Sequence, residues 1–255
     1  MSRINTAFAN KAKVAYLTAG DGGVDKSVEN FLALVKGGVN LLEVGIPYSD
    51  PVADGPVIQA AMERALKEHH TTVDTSLEIV SKIRSQDNQV AIILFTYYNP
   101  IQTNLAEFIR KVKDAGADGV LVVDLPYEEA GELRHWCKVY GVSPITVVAP
   151  STTQKRIKTI LAGLDNGFVY YACQKGTTGT RDGLPEDLAT HLDSIREVTK
   201  LPIAVGFGVS NSQMVADILK VADGCVVGSY LVKQIANNVT PAELTKITQG
   251  LYNVA

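Results

Sequence analysis

Short, continuous apolar runs rich in β-branched residues alternate along the chain with longer stretches whose apolar positions recur every three or four residues. The runs are 14–18, 41–45, 90–96, 119–124, 145–148, 168–173, 203–206 and 225–228. Runs that are continuous rather than alternating are expected of parallel strands buried on both faces. Between them Phe31, Leu32, Leu34 and Val35 recur at helical spacing, as do Leu77, Val80 and Ile83, and Phe108, Ile109 and Val112. Pro185-Glu186-Asp187 reads as a helix start ahead of Leu188, Leu192 and Ile195. Gly38-Val39, Gly116-Ala117 and Ala222-Asp223-Gly224 read as helix C-terminal glycines leading into the next strand. No linker or low-complexity tract interrupts this alternation, so residues 1–255 are expected to form one domain. Eight strand–helix units predict an α/β chain folded as a single (β/α)8 TIM barrel, with its active site at the C-terminal ends of the strands. A doubly wound open sheet is the alternative, but Thr18-Ala19-Gly20-Asp21-Gly22-Gly23 lacks the GxGxxG spacing of a dinucleotide site.

Composition narrows the chemistry. The 24 Lys+Arg against 27 Asp+Glu give a net charge of −3 with no basic stripe, which argues against nucleic acid or an anionic membrane. The apolar runs are far too short to span a bilayer, and the opening residues lack the apolar core of a signal peptide. Cys137, Cys173 and Cys225 form no CxxC pair and read as buried thiols, a cytoplasmic pattern.

At the strand ends two carboxylates stand out. Glu43 lies inside the run Leu41-Leu42-Glu43-Val44-Gly45. A buried carboxylate either finds an ion-pair partner or has its pKa raised, and the latter suits a general acid/base. No arginine lies near a strand end to serve as that partner. The following loop carries three prolines between Pro47 and Pro56, a stiff frame for a side chain. In it Asp50 reads as a turn residue, while Asp54 is open to two readings, helix cap or functional carboxylate. The glycine-rich loops 206–210, 228–230 and 176–180 let backbone N–H groups approach a phosphate, and Ser229 adds a hydroxyl. His69, His70, His135 and His191 read as helical and join no carboxylate or thiol at a strand end, so no metal site is expected. Lys175 is the one lysine placed for a Schiff base, although strand alternation from an inward Tyr170 turns it outward.

The segment Glu43-Val44-Gly45-Ile46-Pro47-Tyr48-Ser49-Asp50-Pro51-Val52-Ala53-Asp54-Gly55-Pro56-Val57-Ile58-Gln59 resembles the signature of the tryptophan synthase alpha chain family. Support in the same order comes from Tyr16-Leu17-Thr18-Ala19-Gly20-Asp21, Thr96-Tyr97-Tyr98-Asn99-Pro100, Val123-Asp124-Leu125-Pro126, Gly176-Thr177-Thr178-Gly179, Gly206-Phe207-Gly208-Val209-Ser210 and Val227-Gly228-Ser229. The resemblance implies a barrel lyase that cleaves indole-3-glycerol phosphate, with Glu43 as proton shuttle and Asp54 at the indole N–H. It places the phosphate on Gly179, Phe207, Gly208, Gly228 and Ser229, sets Tyr16, Tyr97 and Tyr170 against the substrate, and puts Thr178 on a closing loop. It implies no cofactor in this chain, a beta-chain partner carrying pyridoxal phosphate in an alpha2beta2 assembly, and a cytoplasmic location.

Some residues depart from the family pattern. Gly22-Gly23 replaces an Asp-Pro turn, so a looser first loop is expected, and Cys173-Gln174-Lys175 is unusual after the sixth strand. The short segment before residue 14 predicts an abbreviated N-terminal helix. The alternatives are a stand-alone indole-3-glycerol phosphate lyase, a degenerate barrel acting as a regulatory partner, and a Schiff-base aldolase using Lys175.

Overall fold

The computed structural model describes residues 2–173, 184–206 and 208–253. A short helix α1 (Arg3–Ala9) leads into β1 (Ala12–Thr18), α2 (Val24–Lys36) and β2 (Leu41–Gly45). Two helices follow, α3 (Pro56–Lys67) and α4 (Val73–Gln86), then β3 (Ala91–Thr96), α5 (Leu105–Asp114), β4 (Gly119–Val122) and α6 (Gly131–Tyr140). The chain continues through β5 (Ser143–Pro144), β6 (Thr146–Val148), α7 (Gln154–Leu161), β7 (Val169–Ala172), α8 (Leu188–Arg196) and β8 (Ile203–Gly206). It ends with α9 (Ser212–Val221), β9 (Gly224–Val227), α10 (Ser229–Ala236) and α11 (Pro241–Tyr252).

The strands pair in parallel in the order β5-β4-β3-β2-β1-β9-β8-β7-β6. β5 and β6 stand at opposite ends of that order yet are one residue apart, so the sheet curls through a full turn into the expected (β/α)8 barrel. The fifth predicted strand is thus divided. Ser143 and Ile145 donate their N–H groups toward β4, to the carbonyls of Asp118 (2.9 Å) and Val120 (2.8 Å). Alternate N–H groups of a strand face alternate neighbours, so the residue between them would donate toward β7, and Pro144 has no N–H. Pairing with β7 therefore begins only at Thr146.

β1, β2 and β3 are buried along almost their whole length, as their continuous apolar runs require. Gly38 (φ 98°) and Gly116 (φ 86°) end α2 and α5 in the left-handed region. Beyond them Val39 and Ala117 donate back to Leu34 and Val112 (both 3.2 Å), the bond that closes a helix C-terminus. Gly224 departs from the expectation. It lies within β9, where a Cβ would crowd Ala12 and Phe8. His69 and His70 also differ, sitting in the turn after α3 rather than in a helix, with His70 at φ 48°.

The N-terminal helix α1 is seven residues long. It covers the N-terminal ends of the strands. Phe8 packs on Phe168 with ring centroids 5.1 Å apart, Asn40 donates to the Ala7 carbonyl (3.1 Å), and Arg3 pairs with Asp118 (2.9 Å). Asp118 also pairs with Arg84 (3.0 Å) and accepts the Ile92 N–H (2.9 Å). The opposite end, where the strands finish, carries the candidate site.

Candidate active site

Glu43 stands at the middle of β2 and is 1% exposed. Its Oε1 has no hydrogen-bond partner among the described residues. Burial alone pushes its carboxyl up to about 8. A carboxyl so placed keeps its proton at neutral pH, because no cation among the described residues repays the loss of water around the charged form. The ion-pair reading of Glu43 is therefore not met among the described residues.

Asp54 reaches the same end of the barrel on the loop after β2. The helix-cap reading does not hold, since the N-cap of α3 is Gly55, which makes no side-chain cap bond. The Asp54 carboxylate instead accepts a hydrogen bond from the Tyr97 hydroxyl at 2.6 Å. That hydroxyl in turn accepts the Ala53 N–H at 3.0 Å, so one phenol fixes both the loop backbone and the carboxylate. Tyr97 is buried just past the end of β3 and packs against Tyr48, centroids 5.2 Å apart. Burial raises the pKa of Asp54, and the Tyr97 hydrogen bond holds it back. Asp50, by contrast, is an exposed turn residue accepting from Ser49 at 2.5 Å. Tyr97→Phe should lower turnover about 10- to 100-fold by loosening Asp54. The acid limb of its pH–rate profile should move upward, since the bond that restrains the Asp54 pKa is lost. An unchanged profile would mean that Tyr97 does not act through Asp54.

Two further tyrosines face the barrel interior because glycines make room for them. A Cβ on Gly45 would collide with the Tyr16 hydroxyl, and one on Gly206 with the Tyr170 hydroxyl. Tyr16 packs edge-on against Phe95 (5.5 Å), and its hydroxyl lies 3.4 Å from that of Thr18. Burial raises the Tyr170 hydroxyl well above its usual pKa, with Glu43 and Asp54 adding to the effect. In sheet order β7 and β2 are separated by β8, β9 and β1, so the two side chains sense each other across the barrel rather than along it.

The loop after β1 is anchored, not loose. Asp21 accepts two bonds from Arg64 (2.8 and 2.7 Å), and the Gly20 N–H donates to Ser27 (3.1 Å). Gly20, Gly22 and Gly23 all take positive φ there, which explains glycine in place of Asp-Pro.

Gly228 is the N-cap of α10, and Ser229 opens the helix. Among the described residues no side chain caps this end, and the N–H groups that open the helix at Ser229 are placed to meet an anion. Gly208 (φ 34°) lies in the neighbouring loop after β8. Thr178, Gly179, Phe207 and Lys175 lie outside the described residues. Cys137, Cys173 and Cys225 are buried, as expected. No group of three or more His, Cys, Asp or Glu among the described residues is arranged to hold a metal.

Reasoning from sequence assigned Tyr97 to the substrate by resemblance and missed its bond to Asp54. It also missed the Gly45–Tyr16 and Gly206–Tyr170 pairs. The clue available was position: Gly45, Tyr97 and Gly206 all lie at or just beyond the ends of their strands.

Fold and site define the class, a (β/α)8-barrel enzyme whose polar side chains gather where the strands end. A family model described as tryptophan synthase alpha chain matches residues 4–253. The tryptophan synthase alpha chain of Coxiella burnetii is 48% identical over 98% of this chain and 97% of its own length. The crystal structure of tryptophan synthase subunit alpha from Legionella pneumophila superposes with a TM-score of 0.86 at 34% identity, covering 100% of both chains. A chain of the tryptophan synthase a2b2 complex from Pyrococcus furiosus gives 0.85 at 34% identity, over 95% of this chain and 98% of that one. The chain belongs to the tryptophan synthase alpha chain family.

Proposed function

We propose that this chain is the alpha subunit of a tryptophan synthase. It is a lyase that cleaves indole-3-glycerol phosphate to indole and glyceraldehyde 3-phosphate and passes indole to a beta subunit that makes L-tryptophan. The observation that carries the mechanism is Glu43, a buried carboxyl in the middle of β2 whose Oε1 has no partner among the described residues and whose pKa burial pushes up to about 8. Glu43 gives its proton to ring carbon 3 of the indole, which leaves a cationic ring. The resulting carboxylate then takes the proton of the adjacent side-chain hydroxyl. The carbon–carbon bond breaks as that oxygen becomes a carbonyl, and its electrons neutralise the ring. Glu43 ends the cycle protonated. Asp54, aimed by Tyr97, accepts the indole N–H and stabilises the transient positive charge. One carboxyl is thus dry and protonated while the other is held by a hydrogen-bond donor, a division of labour between environments.

The phosphate sits on the first turn of α10, with Gly228 and Ser229, beside Gly208; Gly179 and Phe207 complete the set. Tyr16 and Tyr170 border the indole, and the family resemblance adds Thr178 to the substrate contacts. Ser229→Ala should raise KM several-fold with little change in kcat, because backbone donors remain. Loss confined to kcat would remove Ser229 from the phosphate site.

The Pyrococcus furiosus relative acts within an a2b2 complex, and the same assembly is proposed here. Val52, 84% exposed on the loop that carries Asp54, offers an apolar contact for such a partner at the site end of the barrel. Pyridoxal phosphate then belongs to the beta chain, and this chain carries no cofactor of its own. No described helix is long and apolar enough to cross a membrane; we place this biosynthetic enzyme in the cytoplasm.

The deciding assay is indole release from indole-3-glycerol phosphate, by the purified chain alone and with a beta chain added. Slow release that rises sharply with the partner is expected. Fast release by the chain alone would make it a stand-alone lyase. No release under either condition, with the partner still bound, would leave a regulatory barrel.

A further inference from the structure

The barrel wall has a seam. β4 is laddered to β5 only as far as Val120 and Pro144, and β6 pairs with β7 alone, so β4 and β6 part toward their C-terminal ends. A cleft of about 660 Å³ fills this seam and continues outward between α6 and α7. That volume lies within the range of small-molecule sites. Its walls are mixed: Val120, Val122, Leu133 and Ile160 give an apolar side, and Asp124, Arg134, Thr146, Ser151, Thr153 and Arg156 a polar one.

The charges around the cleft are unevenly satisfied. Arg156 on α7 is clasped by the Glu128 carboxylate, with one bond at 2.7 Å. Asp124 accepts the Tyr98 N–H at 2.7 Å. Arg134 on α6 has no hydrogen bond or ion pair among the described residues; its guanidinium lies 4.0 Å from the centroid of the Tyr127 ring. The Tyr127 ring, which also has Arg156 at 6.0 Å, holds Arg134 against the cleft, where its charge is also felt by the Glu128 carboxylate that Arg156 clasps.

We propose that this seam cleft is a second ligand site, distinct from the carboxylate pair, and that it takes a small apolar monocarboxylate. The apolar body packs between α6 and α7, and Arg134 receives the carboxylate. A guanidinium offers two parallel N–H groups that match a single carboxylate, and the Asp124 and Glu128 carboxylates at the cleft disfavour the higher charge of a phosphate.

The test is calorimetric titration of the full chain with 4-bromophenylacetate and with its neutral analogue 2-(4-bromophenyl)ethanol. The location is read from the bromine anomalous signal in crystals soaked with the acid. The acid should bind with its bromine in the cleft and its carboxylate on Arg134. Arg134→Met should weaken it at least tenfold at little cost in Tm, Arg134→Lys less so, and the neutral analogue should bind weakly in every variant. A bromine peak elsewhere, equal affinity for acid and alcohol, undiminished binding by Arg134→Met, or no saturable binding in the millimolar range would each overturn the proposal. None of these readouts depends on turnover, so they stand apart from the reading of Glu43 and Asp54.

Discussion

Glu43→Gln should lower turnover of indole-3-glycerol phosphate by about 10³- to 10⁴-fold while leaving substrate affinity within a few-fold of the parent. Glutamine keeps the shape and a hydrogen-bonding end but can neither give nor take a proton. A residue asked to protonate carbon 3 and then deprotonate the hydroxyl loses both steps at once. Binding should survive, because the proposed phosphate contacts lie on α10 and the proposed indole contacts on tyrosines of other strands. Steady-state kinetics with a saturating beta chain, paired with equilibrium binding of the substrate to the inactive variant, separate the two effects. Turnover within tenfold of the parent would exclude Glu43 as the shuttle. A matching loss of affinity would recast it as a binding group.

The second large effect is on stability and comes from the same side chain. The folded protein holds the Glu43 carboxyl near 8, against an ordinary value of 4.5. Between those two pH values the unfolded chain has released this proton while the folded chain keeps it. The unfolded state therefore binds fewer protons, and folding stability must fall as pH rises through the window. At roughly 1.4 kcal/mol for each unit of pKa difference, the loss between pH 4.5 and 8 is on the order of 4–5 kcal/mol. Glu43→Gln removes that dependence. Its urea-unfolding free energy should decline less steeply than the parent's from pH 5 to 8 and exceed it at pH 8. Parallel curves for the two proteins would mean that Glu43 is not held protonated in the folded state. The activity lost in this variant and the stability gained have one cause, a dry site kept for a proton-carrying group.

Much of this was legible from the order of residues. Eight β-branched runs separated by amphipathic stretches can bury both faces of every strand in few ways, and a parallel barrel is one of them. Glu43 was visible because a carboxylate amid Leu41, Leu42 and Val44 has no cheap explanation in a buried strand. Asp54 was only half legible. The loop Asp54-Gly55-Pro56 looks like a helix cap in isolation, and nothing within that loop shows that the cap is Gly55. Tyr97, 43 residues further on, is what turns Asp54 toward the site.

The family came from the resemblance of whole motifs; local pattern determined most of the strands, several of the helices, and one buried carboxyl in need of a reason. These are decided within about ten residues by backbone propensity, apolar spacing and the cost of burying charge. The tertiary structure alone decided the division of the fifth strand at Pro144, the tyrosine that holds Asp54, the glycines that admit Tyr16 and Tyr170, and the cleft at the seam. Each depends on which strand lies beside which, and that follows from closing the barrel, a condition on the whole chain that no short window contains.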